Sequence, residues 1–175
     1  MAMLANMRSL AGDGSSAIKL GTQVLDARDR DLGTDAEDSL KAATALAGFH
    51  GGAGNFDESD ALLKRVITIT KKLHGEKARR TLRARWALAY SYDRQRKFQE
   101  AASILLDVMW ISSETLGEGD KDTLGCQIGL GFIYEGQGDT RSAMRFFRKA
   151  AQVAREVLGP DDGGHWRIPV CSERD

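Results

Sequence analysis

The residues able to do chemistry are few and scattered. The histidines His50, His74 and His165 lie far apart and form no HxxxH or HExxH pair, so no metal-hydrolase spacing exists. Cys126 and Cys171 form no CxxC motif and read as free thiols of a reducing compartment. Gly51, Gly52 and Gly54 have the density of a phosphate loop, but no Gly-Lys-Ser/Thr follows them. Gly129 and Gly131 begin a dinucleotide fingerprint that Tyr134 interrupts. The carboxylates Asp57, Glu58 and Asp60 suit the opening turn of a helix, where they complement its dipole. The basic run Lys77, Arg79, Arg80, Arg83 and Arg85 could meet phosphates. However, 25 Lys plus Arg are balanced by 25 Asp plus Glu, and the run reads as a solvated helix face. No catalytic constellation, cofactor motif or metal motif emerges, and neither nucleic acid nor membrane is an expected partner.

The elements carrying these residues repeat. Gly33, Gly75, Gly117 and Gly159 recur every 42 residues. Leu40, Leu82 and Leu124 keep the same step, as do Leu46, Leu88 and Leu130. Small residues recur at Ala47, Ala89 and Gly131, and at Ser59, Ala101 and Ala143; rings recur at His50, Tyr92 and Tyr134. Leu63, Leu105 and Phe147 are large, followed by Val66, Val108 and Ala150. Such a period marks a stacked array in which no unit can bury its apolar stripe alone.

Each unit reads as two helices, because apolar residues recur at helical spacing and glycines separate the runs. First helices are expected near 37–50, 79–94 and 121–136, and second helices near 57–72, 98–115 and 140–157. An earlier second helix is expected at 16–31. Thr34 with Glu37, and Asn55 with Glu58, fit capping boxes, and Asp139 fits an N-cap. The expected array covers 1–162, with a partial unit at 1–32 and units at 33–74, 75–116 and 117–158. Residues 163–175, after His165-Trp166 and Pro169, read as a truncated or frayed segment. The array is expected to be cut at both ends. The glycines of 48–55 mark the turn expected to be most mobile.

These columns resemble the tetratricopeptide repeat, in the 42-residue form of kinesin light chains. Leu130, Gly131, Tyr134, Ala143, Phe147 and Ala150 fill the family's pattern in the third unit, and Leu88, Ala89, Tyr92, Ala101, Leu105 and Val108 in the second. Leu158-Gly159-Pro160-Asp161 resembles its linker. The resemblance implies an all-α fold, a right-handed superhelix (α-solenoid) of helix-turn-helix units. It implies a scaffold rather than an enzyme, taking a protein or peptide in a concave groove; the free thiols, with no apolar run long enough to span a bilayer, make a cytoplasmic address the expectation. The groove would be lined by Lys41, Thr44 and Gly48, then Arg83, Trp86, Tyr90, Asp93 and Arg94, then Gly125, Ile128, Phe132 and Glu135. Ala45, Ala87 and Gly129 stand where such grooves carry asparagines. Two readings of Trp86 and Tyr90 stay open: anchors for a partner, or packing against the neighbouring unit. Alternatives for the whole chain are a regulatory or docking segment of a larger protein, and an array self-associating through uncapped ends with Phe146 or Val153 exposed.

Overall fold

The computed structural model describes residues 14–158. The segments 1–13 and 159–175, with the Gly159-Pro160-Asp161 linker, His165 and Trp166, lie outside the described residues. Among the described residues all regular structure is helical. The helices are α1 (Gly14–Leu32), α2 (Glu37–Gly52), α3 (Phe56–His74), α4 (Arg79–Arg94), α5 (Phe98–Leu116), α6 (Lys121–Gly136) and α7 (Thr140–Leu158). Every helix falls within two residues of its expected span. None is long and apolar enough to cross a membrane.

The chain divides into two compact units, Met1–Gln95 and Arg96–Asp175. In the first, α1 packs on α2, α2 on α3, and α3 on α4, and α2 also touches α4. Its core joins Leu25, Leu40, Ala43, Leu46, Val66 and Ala84, with Ile18, Phe49 and Leu62 packed against them. In the second unit α6 packs against both α5 and α7. There Leu105, Val108, Leu124, Leu130, Phe147 and Val153 are buried. Burying each such side chain stabilises the fold by roughly 1.5–3 kcal/mol.

The repeat columns keep like environments in every unit. Leu46, Leu88 and Leu130 are all buried, and so are Ala47, Ala89 and Gly131. On α6 the small residue Gly131 faces Phe147 of α7, where a larger side chain would hold the axes apart.

The turns repeat as well. Gly33, Gly75 and Gly117 have φ of 91°, 89° and 94°, in the region open chiefly to glycine. Six residues after each stands a hydroxyl: Ser39, Thr81 and Thr123. Ser39 Oγ donates to the Gly33 carbonyl at 2.7 Å, and Thr81 Oγ1 to the Gly75 carbonyl at 2.8 Å. Each bond ties a linker to the start of the helix it feeds.

The capping boxes differ from expectation. The N-cap of α2 is Ala36, which has no side-chain acceptor, and Glu37 turns outward to Lys41 and Arg80. Asn55 caps α3 without a side-chain hydrogen bond, and its amide faces His50 Nδ1 at 3.5 Å. Asp139 does accept from the Ser142 N–H at 3.1 Å, and Asp120 accepts from Asp122 N–H at the start of α6.

Candidate functional site

The first helix of one hairpin, α4, exposes a continuous stripe. On α4 this stripe is Arg83, Trp86, Tyr90 and Arg94, three or four residues apart and therefore on one face. It runs about 16 Å along the axis, from the rise per residue of an α-helix. Trp86 is 39% exposed and Tyr90 53%. Their rings stack with centroids 6.0 Å apart and planes 4° from parallel, an offset arrangement. Arg83 and Arg94 are exposed at either end. The buried face of the helix holds Leu82, Leu88 and Ala89, so packing fixes the direction of the aromatic pair.

Asp93, half-buried beside this stripe, has its carboxyl raised above the ordinary value by desolvation, against the pull of Arg94. The first unit also places Lys41 and Thr44 on α2, which touches α4. Lys41 is exposed and pairs with Glu37 at 2.8 Å, which raises the lysine and lowers the glutamate from their usual values. Glu37 is the hinge of this cluster, since Arg80 of α4 reaches it at 2.8 Å. Thr44 Oγ1 donates to the Leu40 carbonyl, so its hydroxyl is used within the helix. A β-carbon at Gly48 would meet nothing within 4 Å, which leaves open space on that stretch of α2.

Ile128, Phe132 and Glu135 lie on α6 in the second unit. Ile128 is half-buried and Glu135 exposed. Phe132 is exposed on one side but packs edge-on against Phe147, centroids 5.2 Å apart at 71°. The described residues thus bring Lys41, Thr44, Arg83, Trp86, Tyr90, Asp93 and Arg94 into one unit, and Ile128, Phe132 and Glu135 into the other.

Sequence reasoning missed a buried polar cluster. Asp60 is buried on α3, where it had been expected to serve the helix dipole. Ser91 Oγ donates to its Oδ1 at 2.6 Å, and Gln95 Nε2 to its Oδ2 at 3.0 Å. The other units hold Ala102 and Met144 at that position, so a carboxylate in a column that is otherwise apolar was the available signal. The expected exposure of Phe146 and Val153 needs correction, Phe146 being half-buried. Val153 is buried and Phe146 stacks on Tyr134 at 5.5 Å. Cys126 is buried, and desolvation first, then Asp122, pushes its thiol up to about 12. That is the opposite of an activated nucleophile. No group of three His, Cys, Asp or Glu among the described residues gathers as a metal site.

Two family models match, both described as tetratricopeptide repeat, over residues 38–114 and 123–162. No curated protein matches the chain. Among solved structures the chain is similar to BtubC (BKLC) from P. vanneervenii, at 19% identity and a TM-score of 0.72. That match covers 88% of this chain, which spans 61% of the neighbour's length; at this identity the likeness is one of fold. Two structures of kinesin-light-chain TPR-like repeats from Podosopora anserina match at 18% identity with TM-scores of 0.45 and 0.44. They cover 91% and 89% of this chain, and 95% and 93% of their own. The repeated helical hairpins, their conserved spacing of small and large columns, and the two repeat models together place this chain in the tetratricopeptide-repeat family.

Proposed function

We propose that the protein is an interaction scaffold without catalytic activity, and that it binds a peptide segment of a partner protein along its first helices. The observation that carries this reading is the exposed, mutually stacked pair Trp86 and Tyr90 with Arg83 and Arg94 at its ends. Aromatic and arginine side chains are the usual anchors of protein interfaces. Two parallel rings offer a rigid apolar surface, and the flanking guanidinium groups favour carboxylates. The best-fitting ligand is a segment with an apolar side chain in the middle and an acidic group beside it. Lys41, Thr44 and Asp93 complete the proposed contact set of the first unit, and Ile128, Phe132 and Glu135 on α6 are proposed as contacts of the second unit in its own right. Tetratricopeptide repeats generally mediate protein–protein interaction, which supports the class of partner. The buried free thiol of Cys126 fits a cytoplasmic address.

The test is a pull-down comparing the protein with an Arg83→Ala/Trp86→Ala variant whose far-UV CD is unchanged. Loss of bound partners from the variant supports the reading. The same partners at the same yield would remove it.

A further inference from the structure

A second charged surface lies outside the α4 stripe. Helix α7 holds Arg141, Arg145, Arg148, Lys149 and Arg155 against the single carboxylate Glu156. The whole chain carries 25 cationic and 25 acidic side chains, so this surplus is local. Lys149 is engaged with Glu118 at 3.1 Å. Arg141, Arg145 and Arg148 are exposed, and among the described residues neither Arg145 nor Arg148 makes a hydrogen bond or ion pair. The three recur at i, i+4 and i+7, and so form one ridge. The same open face of α7 carries Met144 and Gln152 between and beyond these arginines.

The repeat itself does not demand these arginines. The matching positions are Asp57, Ala61 and Lys64 on α3, and Gln99, Ser103 and Leu106 on α5. The ridge is a property of this one helix.

We propose that the α7 ridge docks an acidic amphipathic helix of a protein partner, separately from the α4 stripe. Carboxylates at i, i+4 and i+7 of such a helix would match the spacing of the three guanidinium groups. Guanidinium groups bind carboxylates in bidentate geometry, which fixes register as well as adding affinity. Met144 gives an apolar neighbour on the partner a contact that a phosphate backbone would leave unused. The balanced charge of the chain supplies no long-range field for nucleic acid, which favours the protein ligand.

The test uses a fluorescent synthetic helix with glutamates at i, i+4 and i+7 and one leucine, followed by anisotropy. Three proteins are compared: the unaltered chain, Arg145→Glu/Arg148→Glu, and Arg83→Ala/Trp86→Ala. The expected result is saturable binding, weakened at least about tenfold by the α7 reversal, unchanged by the α4 variant, and reduced by salt. A single-stranded DNA oligomer of equal charge is expected to bind more weakly. Should the reversal fail to give the native CD melt, Arg145→Gln/Arg148→Gln replaces it, with the same loss expected. The proposal is overturned by no binding, by equal binding to the α7 variants, or by tighter binding of the DNA. Loss on the α4 variant alone would also overturn it while leaving the proposed function standing.

Discussion

The ring of Phe147 occupies the space that a β-carbon on Gly131 would need. The same pair of columns reads Ala47 with Leu63 in one unit and Ala89 with Leu105 in another, so a larger second-helix residue is matched by a smaller first-helix residue. Gly131→Ala is therefore expected to destabilise the protein by about 1–3 kcal/mol through overpacking, although alanine is the better helix former. Gly131→Ala/Phe147→Leu restores the pairing of the other units and should recover most of the loss. Denaturant titration of both variants checks this. Equal stability of Gly131→Ala and the unaltered chain would contradict it.

Arg96 has φ of 60°, where Gly54 and Gly138 stand at the matching turns with φ of 83° and 82°. A non-glycine residue there costs about 1–2 kcal/mol, offset in part by the Arg96 guanidinium lying 5.6 Å from the Phe98 ring centre. Arg96→Gly is expected to raise stability by about 0.5–1 kcal/mol. A lower melting temperature for this variant would show that the cation–ring contact outweighs the backbone strain.

Much of the fold was legible because the repeat writes the same packing problem three times. The small columns at Ala47, Ala89 and Gly131 and the glycines at the turns fixed both the helix class and the helix ends. What escaped was polar detail. Ser39 and Thr81 bond backward to linker glycines, although their spacing from Gly33 and Gly75 was open to view. Thr34 resembled a cap, but the chain enters α2 two residues later, at Ala36. The stripe Arg83, Trp86, Tyr90 and Arg94 was legible from helical periodicity. Its exposure was not, since packing and surface positions adjoin on such a helix and the tertiary packing decides between them.

Asp60 is held by Ser91 and Gln95 between α3 and the end of α4. Ser91→Ala leaves one oxygen of a buried carboxylate without its donor, and is expected to cost about 1–3 kcal/mol. Asp60→Ala/Ser91→Ala removes both partners and should cost less than the sum of the two single changes. A double-mutant cycle measures that coupling; additive single effects would mean that the contact contributes nothing of its own.

Cys126 has a folded-state value of about 12 against an ordinary 9.0. Raising an acid's value on folding favours the protonated native form, so the contribution to stability is lost as pH rises from about 9 toward 12. The native thiol is expected to resist alkylation at pH 8 and to react promptly once denaturant unfolds the chain. Rapid labelling of the native protein, read by mass spectrometry on the peptide containing Cys126, would show that the second unit opens far more readily than its packing implies.

The α4 stripe can be tested directly by selecting peptides on the unaltered protein from a random display library and measuring them by calorimetry. Sequences pairing an apolar residue with a carboxylate are expected to dominate, and Arg83→Ala/Trp86→Ala should weaken them by at least about tenfold, with enthalpy lost in step. Selected peptides that lack any acidic residue, or that bind the variant as tightly as the unaltered protein, would contradict the account.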